Sequence, residues 1–250
     1  MRWGDKLTKV GWGITGAGQF LLETFDTMEK LAERHTMSCF LSLAGERVVR
    51  IYGLWGRLNK ICPGNYYRET VLEANQGAAS PLAGRFLRGT YDALIVSPAS
   101  ANTVAKIIVG IADTLVTNVI AQAEKGKVPI IIVPSDQGRG GMKTRLPYII
   151  NREICPKCGE CSVIDLCSFK AIVLSNGLPK IDLTKCEGCG ICLRECPHGA
   201  VTFGQEVTIV PRSVDIKNVE KLRKSEGIIV LKSPKEIPKI LEKVLGGVHG

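Results

Sequence analysis

The sequence predicts an α/β fold: a doubly wound, Rossmann-like parallel sheet with a small cysteine-rich α+β module inserted late in the chain. Three observations lead there. Strand-like apolar runs alternate with helical apolar spacing through residues 9–136, the signature of a sheet wrapped by helices. The run Val128-Pro-Ile-Ile-Ile-Val-Pro134 is almost wholly apolar, as a central parallel strand buried on both faces requires. The strand and helix rhythm then stops at a cysteine-rich stretch and resumes beyond it, so the module is inserted rather than appended. A chain of 250 residues has room for both parts. The expected boundaries are 1–150 and 207–250 for the α/β domain and 151–206 for the module.

Taken in order, Lys9-Val-Gly-Trp-Gly-Ile-Thr-Gly-Ala-Gly18 reads as a buried strand breaking into a glycine turn. Residues 19–34 follow with helical spacing at Phe20, Leu21, Phe25, Met28 and Leu31. A strand, a glycine turn and a helix start in that order expose backbone amides suited to a phosphate or another anion. Residues 36–43 read as a second strand. Between 48 and 87 short apolar pieces alternate with Gly, Pro and Asn, and no element is assigned. Tyr91-Asp-Ala-Leu-Ile-Val-Ser97 is a third strand, 101–110 a helix begun behind Pro98-Ala-Ser100, and 128–134 a fourth strand. Past the cysteines, 206–210, 219–223, 227–231 and 234–244 read as strand, helix, strand and helix.

Eight of the ten cysteines fall in two runs: Cys155, Cys158 and Cys161 followed by Cys167, and Cys186, Cys189 and Cys192 followed by Cys196. Three thiolates at this spacing wrap three corners of a cubane, and in two-cluster ferredoxins the fourth cysteine of each run reaches the other cluster. On that logic Cys155, Cys158, Cys161 and Cys196 hold one [4Fe–4S] centre, and Cys186, Cys189, Cys192 and Cys167 hold the second. Zinc sites prefer paired knuckles without a third closely spaced cysteine, and a disulfide framework needs an oxidising compartment. The first run closes after five residues rather than three and carries Ser168 where the second has Pro197, which reads as a bulge before the crossover ligand. Residues 167–173 echo 196–202, as a duplicated cluster-binding half should. Cys39 and Cys62 stand outside the pattern and are expected to be buried free thiols.

The segment Ser97-Pro-Ala-Ser-Ala-Asn-Thr103, between a strand and a helix, together with the Ile14-Thr-Gly-Ala-Gly18 turn, resembles the flavoprotein superfamily that includes phosphopantothenoylcysteine decarboxylase and flavin prenyltransferase. The resemblance covers most of residues 7–136 and implies FMN. It places Thr15, Gly16, Ala17, Gly18 and Ser42 at the phosphate, and Ser97, Ser100, Ala101, Asn102 and Thr103 near the ring and ribityl chain. The capped-turn alternative, in which Ser and Asn serve only as helix caps, draws on the same residues. The resemblance further implies a homo-oligomer built on trimers, because such proteins complete the flavin pocket with a neighbouring chain.

Two departures bear on the chemistry. Where decarboxylases of the superfamily carry a histidine before the strand at 91–97, this chain has Gly84. Their Pro-Ala-Met-Asn clamp is replaced by Val133-Pro-Ser-Asp-Gln-Gly138. Within the superfamily the chain is most similar to the archaeal dihydromethanopterin reductases (acceptor) that carry a fused two-cluster ferredoxin, with residues 214–228 adding to the likeness. That implies reduction of 7,8-dihydromethanopterin by electrons that an external donor delivers through two clusters to FMN. The second reading is an electron carrier between protein partners with no small-molecule substrate. Asp136 and Arg139 are candidates for touching substrate or flavin, and His35, His198 and His249 are expected at the surface.

Charge and composition narrow the partners. The formal net charge of +9 falls to roughly +3 once two clusters and an FMN phosphate, at about −2 each, are counted, so nucleic acid gains no support. No apolar run reaches the ~18 residues of a membrane span and no signal-peptide core is present, so a cytoplasmic location is expected.

Overall fold

The computed structural model describes residues 8–156, 158 and 161–246. Six parallel strands form the sheet: β1 (Lys9–Ile14), β2 (Thr36–Leu41), β3 (Thr70–Leu72), β4 (Ala93–Ala99), β5 (Ile130–Pro134) and, after the insert, β12 (Ile228–Val230). Their spatial order is β3-β2-β1-β4-β5-β12, so the chain runs outward from β1 in one direction, returns, and runs outward in the other. That is the doubly wound order, and its switch point lies between β1 and β4.

Residue alternation explains why helices cover both faces. Val10, Trp12 and Ile14 point to one face of β1 and pack with Phe25, Met28 and Leu58. The opposite face carries Gly11 and Gly13, where Phe86 and Val116 press so closely that an added methyl would overlap Phe86 at Gly11. On the first face lie α1 (Leu21–Ala32), α2 (Leu43–Ile51), α3 (Trp55–Ile61) and α11 (Ile237–Gly246). On the second lie α5 (Gly84–Leu87), α6 (Ala101–Ile108), α7 (Leu115–Lys125) and α10 (Ser213–Leu222). The short α4 (Glu73–Gln76) follows β3. Cys39 and Cys62 are buried free thiols with their sulfurs 3.2 Å apart, and burial pushes the Cys39 thiol up.

The insert leaves and rejoins the α/β domain through an antiparallel ribbon of β6 (Met142–Arg145) with β11 (Glu206–Ile209). The segment at 206–210, expected to resume the main sheet, is a strand of this ribbon instead. Beyond it come β7 (Ile149–Ile150) paired with β10 (Val201–Thr202), and the hairpin β8 (Ile172–Ser175) with β9 (Leu178–Ile181). Pairing within the module thus begins at residue 149. Two short helices, α8 (Ser162–Leu166) and α9 (Ile191–Glu195), each end at the last cysteine of a run. The extra residues of the first run are therefore a helical turn between Cys161 and Cys167, not a bulge.

Candidate functional site

Three loops converge at the carboxyl ends of β1, β2 and β4, which is where a doubly wound sheet binds its ligand. Thr15 joins two of them: its hydroxyl donates to the Pro98 carbonyl at 2.8 Å and accepts from the Ser100 amide at 2.7 Å. The third is tied by the Ser42 amide, which donates to the Ile14 carbonyl at 3.2 Å. Gly16 is pressed against Ala44 so that a methyl there would overlap its side chain. Helix α1 starts without a side-chain cap, behind Phe20 in the left-handed region at φ 64°; its Leu21 amide donates to the Gly18 carbonyl at 3.2 Å, and the next amides, of Leu22 and Glu23, are left for a ligand.

A cavity of about 390 Å³ opens at this turn. Gly18, Gln19, Phe20, Leu22 and Glu23 line one wall, and Gly141–Arg145 with Glu206 line the other. Lys143 and Arg145 bring positive charge to it and flank Glu206 at 3.1 and 3.8 Å. An uncapped helix start and a glycine turn suit a phosphate-bearing cofactor such as FMN, while Glu206 and Glu23 in the same lining offset the two cations. Gln19, buried at the rim, holds the walls together by donating to the Lys143 carbonyl and accepting from the Asp136 amide. Gln19, Lys143 and Arg145 escape the sequence reading, because β6 reaches the site only through its pairing with β11.

The residues expected at the flavin divide into groups. Gly16 is exposed, Gly18 half-buried, and Thr15 and Ala17 buried in the turn. Ser42 and Ser100 are helix caps: their hydroxyls accept from the Gly45 amide at 3.0 Å and the Thr103 amide at 3.3 Å. Asn102 is exposed, Ala101 half-buried, and Thr103 buried against the Ser100 hydroxyl. Ser97 is a correction. It is fully buried, its hydroxyl shares a 2.7 Å hydrogen bond with Thr24, and its carbonyl accepts from the Trp12 indole. It braces β4 against α1 and has no opening to a ligand. Arg139 points away, 81% exposed, into an ion pair with Glu220, whereas Asp136 stays beside the cavity wall through its amide. Of the histidines, His198 is exposed and His35 is half-buried with Nδ1 unpaired, while His249 lies outside the described residues.

The cysteines gather in two sets. Cys155, Cys158, Cys161 and Cys196 ring a small apolar cavity that His198 also lines. Cys167, Cys186, Cys189 and Cys192 ring a second, with Tyr148, Phe169 and Ile181. Each set joins three cysteines of one run with the last cysteine of the other. Among the described residues no three His, Cys, Asp or Glu side chains close on a point suited to one metal ion. A ring of thiols around a cavity fits a multi-atom cluster rather than a single zinc. Backbone amides already aim at sulfur, Ala171 at Cys167 and Gly188 at Cys186, both at 3.4 Å. Burial and neighbouring thiols push Cys192 up to about 11, so its free thiol is protonated at neutral pH.

The second set docks on the α/β domain. Arg50 pairs with Glu187 at 2.9 Å, Arg47 donates to the carbonyls of Leu183 and Cys186 at 3.4 Å, and Gly53 and Gly188 meet backbone to backbone.

Comparison with known proteins agrees with both halves of this description. The flavoprotein family matches residues 4–139, and the 4Fe-4S binding domain matches residues 179–202. A dihydromethanopterin reductase (acceptor) of Methanosarcina mazei is 44% identical over 92% of this chain and 97% of its own. One of Methanocaldococcus jannaschii is 47% identical over 92% of this chain and 94% of its own. The solved structure of Burkholderia xenovorans DmrB in complex with FMN, described as a cubic protein cage for redox transfer, superposes with a TM-score of 0.61 at 23% identity, covering 98% of this chain and 99% of that one. The chain belongs to the flavoprotein family, in the group represented by the dihydromethanopterin reductases (acceptor), and carries a 4Fe-4S binding domain.

Proposed function

We propose that this protein is an iron–sulfur flavoprotein oxidoreductase that reduces 7,8-dihydromethanopterin to tetrahydromethanopterin, with electrons passing from an external donor through two [4Fe–4S] clusters to FMN and then to the pterin. The observation that carries this reading is the union, in one chain aligned almost end to end with two such reductases, of a phosphate-suited crevice and two four-cysteine cavities. FMN, when bound, supplies the conversion between one-electron carriers and a two-electron reduction.

The chain's own residues then have distinct tasks. Thr15, Gly16, Ala17, Gly18 and Ser42 would shape the phosphate end, with the amides of Leu22 and Glu23 in α1 as donors. Ser100, Ala101, Asn102 and Thr103 would stand on the side of the ring and ribityl chain. Cys155, Cys158, Cys161 and Cys196 would hold one cluster and Cys167, Cys186, Cys189 and Cys192 the other. Amides aimed at sulfur, together with burial, would tune the cluster potentials.

The second reading, an electron carrier between proteins, requires no substrate cleft beside the flavin, and the likeness to two reductases over 92% of this chain favours a small-molecule substrate. A decarboxylase lacks support: Gly84 has no side chain to offer as a base, and Gln137 of the replaced clamp spends its amide on the carbonyls of Pro134 and Lys232. Exposed Asn102, with exposed Val109 and Ile111 beyond the same helix, supports a homo-oligomer built on trimers in which a neighbour covers this face. Among the described residues no helix is long and apolar enough to cross a membrane. With eight cysteines assigned to clusters, a cytoplasmic site is proposed.

An anaerobic assay of the reduced holo-protein against a panel of pterins, following flavin reoxidation, tests the reading. Rapid reoxidation by 7,8-dihydromethanopterin is expected. A flavin that stays reduced with every pterin and reoxidises only with a protein acceptor would establish the carrier reading instead.

A further inference from the structure

We propose that Tyr148, Phe203 and Tyr52 form an aromatic bridge that carries electrons from the site ringed by Cys167, Cys186, Cys189 and Cys192 to the flavin crevice, making this the inner cluster site and the Cys155 site the outer one. The inference rests on the functional reading above and adds to it the order of the two sites and the residues that join them.

The bridge is continuous in space. Tyr148 lines the Cys186 cavity. Its ring lies 4.5 Å from that of Phe203, tilted by 31°. Phe203 meets Tyr52 edge to face at 5.9 Å. Tyr52 follows the last turn of α2, and its hydroxyl donates to the Arg145 carbonyl while sitting where a methyl on Gly18 would collide. Both Gly18 and Arg145 line the large cavity. One unbroken row of packed rings therefore spans from the second cysteine ring to the crevice wall. The contacts that the module makes with α2 fall on Leu183, Cys186, Glu187 and Gly188, the loop of this same ring.

The docking contacts hold this row fixed. Arg50 grips Glu187, and the Gly53 and Gly188 backbones touch with no room for a side chain on either. Electron tunnelling weakens steeply across empty gaps, so a rigid, packed path is favoured over one through solvent. Each transfer would take one electron from the reduced iron–sulfur centre and deliver one to the flavin held in the crevice, whose phosphate end the row reaches at Gly18. The bridging rings are neither oxidised nor reduced. Two transfers with two protons complete the reduction of the flavin.

The test is one-electron photoreduction of anaerobic holo-protein, followed in the iron–sulfur and flavin absorbance bands, for wild type, Phe203→Leu and Phe203→Tyr. Iron, sulfide, flavin and the cluster midpoint potentials are measured on the same samples. Phe203→Leu is expected to slow transfer from iron–sulfur to flavin by an order of magnitude at unchanged cofactor content and potentials, and Phe203→Tyr to restore it. Transfer at the wild-type rate in Phe203→Leu overturns the bridge. Should Phe203→Leu lose a cofactor, Tyr52→Phe and Tyr52→Leu decide in its place: the first should keep the rate and the second slow it, and equal rates overturn the proposal. If electrons do not reach the flavin from the clusters even in wild type, it is the functional reading that fails.

Discussion

At the scale of single residues, Thr15 and Ser97 show how similar hydroxyls at one sheet end do different work. Thr15 fastens the β1 and β4 loops by accepting from the half-buried Ser100 amide and donating to the buried Pro98 carbonyl. Thr15→Val leaves the Ser100 amide without its acceptor, while the Pro98 carbonyl keeps the Thr15 amide at 3.3 Å, and is expected to cost about 1–3 kcal/mol, with weaker flavin retention. Thr15→Ser should recover most of both, as read by denaturant unfolding and flavin analysis. Ser97 bonds only to Thr24 through its hydroxyl, so Ser97→Ala should cost about 1 kcal/mol and leave flavin occupancy unchanged. Replacement of exposed Asn102 should do the reverse, lowering occupancy without unfolding the protein. A loss of flavin in Ser97→Ala would return that residue to the site.

At the scale of elements, the cluster loop and α2 are joined at Gly188, which sits at φ 63° against the Arg50 carbonyl and Gly53. Gly188→Ala combines backbone strain of about 1–2 kcal/mol with a backbone collision, and should loosen the docked loop. Native-state proteolysis of the module should become faster while the flavin is kept. The ion pairs between α1 and α3 make a weaker joint. Hydrogen bonding to Arg57 holds the Glu29 carboxyl below its ordinary value. A depressed carboxylate contributes stability above its unfolded value and loses it as pH falls through the folded value, so the contribution disappears below the usual carboxylate range. Both partners are partly exposed, so its size is under about 1 kcal/mol, and Glu29→Gln should flatten that acid limb of stability against pH. The same scale shows what the sequence discloses. β1, α1, β2, β4 and β5 are legible because their apolar periods are long and their ends are marked by glycine turns or Ser caps. α7 is not, because its capping box pairs Thr114 with Thr117 rather than with Glu or Gln, and the apolar run behind it gives no boundary. β3 is three residues long, below what a period can reveal. β11 has the composition of a strand, but composition does not name its partner, and its pairing with β6 puts Lys143 and Arg145 at the cavity. The cysteine sets are legible because spacing alone predicts which thiols gather in one ring, whereas Ser97 misleads because alternation along β4 does not reveal which helix covers it.

At the scale of the whole molecule, the inserted module is a device that brings one ring of cysteines against the sheet domain and leaves the other ring away from it. Two complete rings predict about eight non-haem irons and eight sulfides per chain in anaerobically prepared protein. About four irons, with Cys167→Ser causing no loss, would leave only one cluster. The exposed Asn102 face predicts a trimer-based mass by light scattering of the flavin-loaded protein, and a monomer with full FMN content would contradict it. The central claim is that electrons reach the pterin by way of the clusters and the flavin, and Cys189→Ser tests it most directly. Flavin content and oligomer size are measured on the same sample, because loss of a cluster can unfold a small cysteine-rich module. The account predicts that this variant keeps FMN, loses turnover with a one-electron donor, and still reduces dihydromethanopterin once its flavin has been reduced chemically. Turnover with the one-electron donor persisting at the wild-type rate would contradict it.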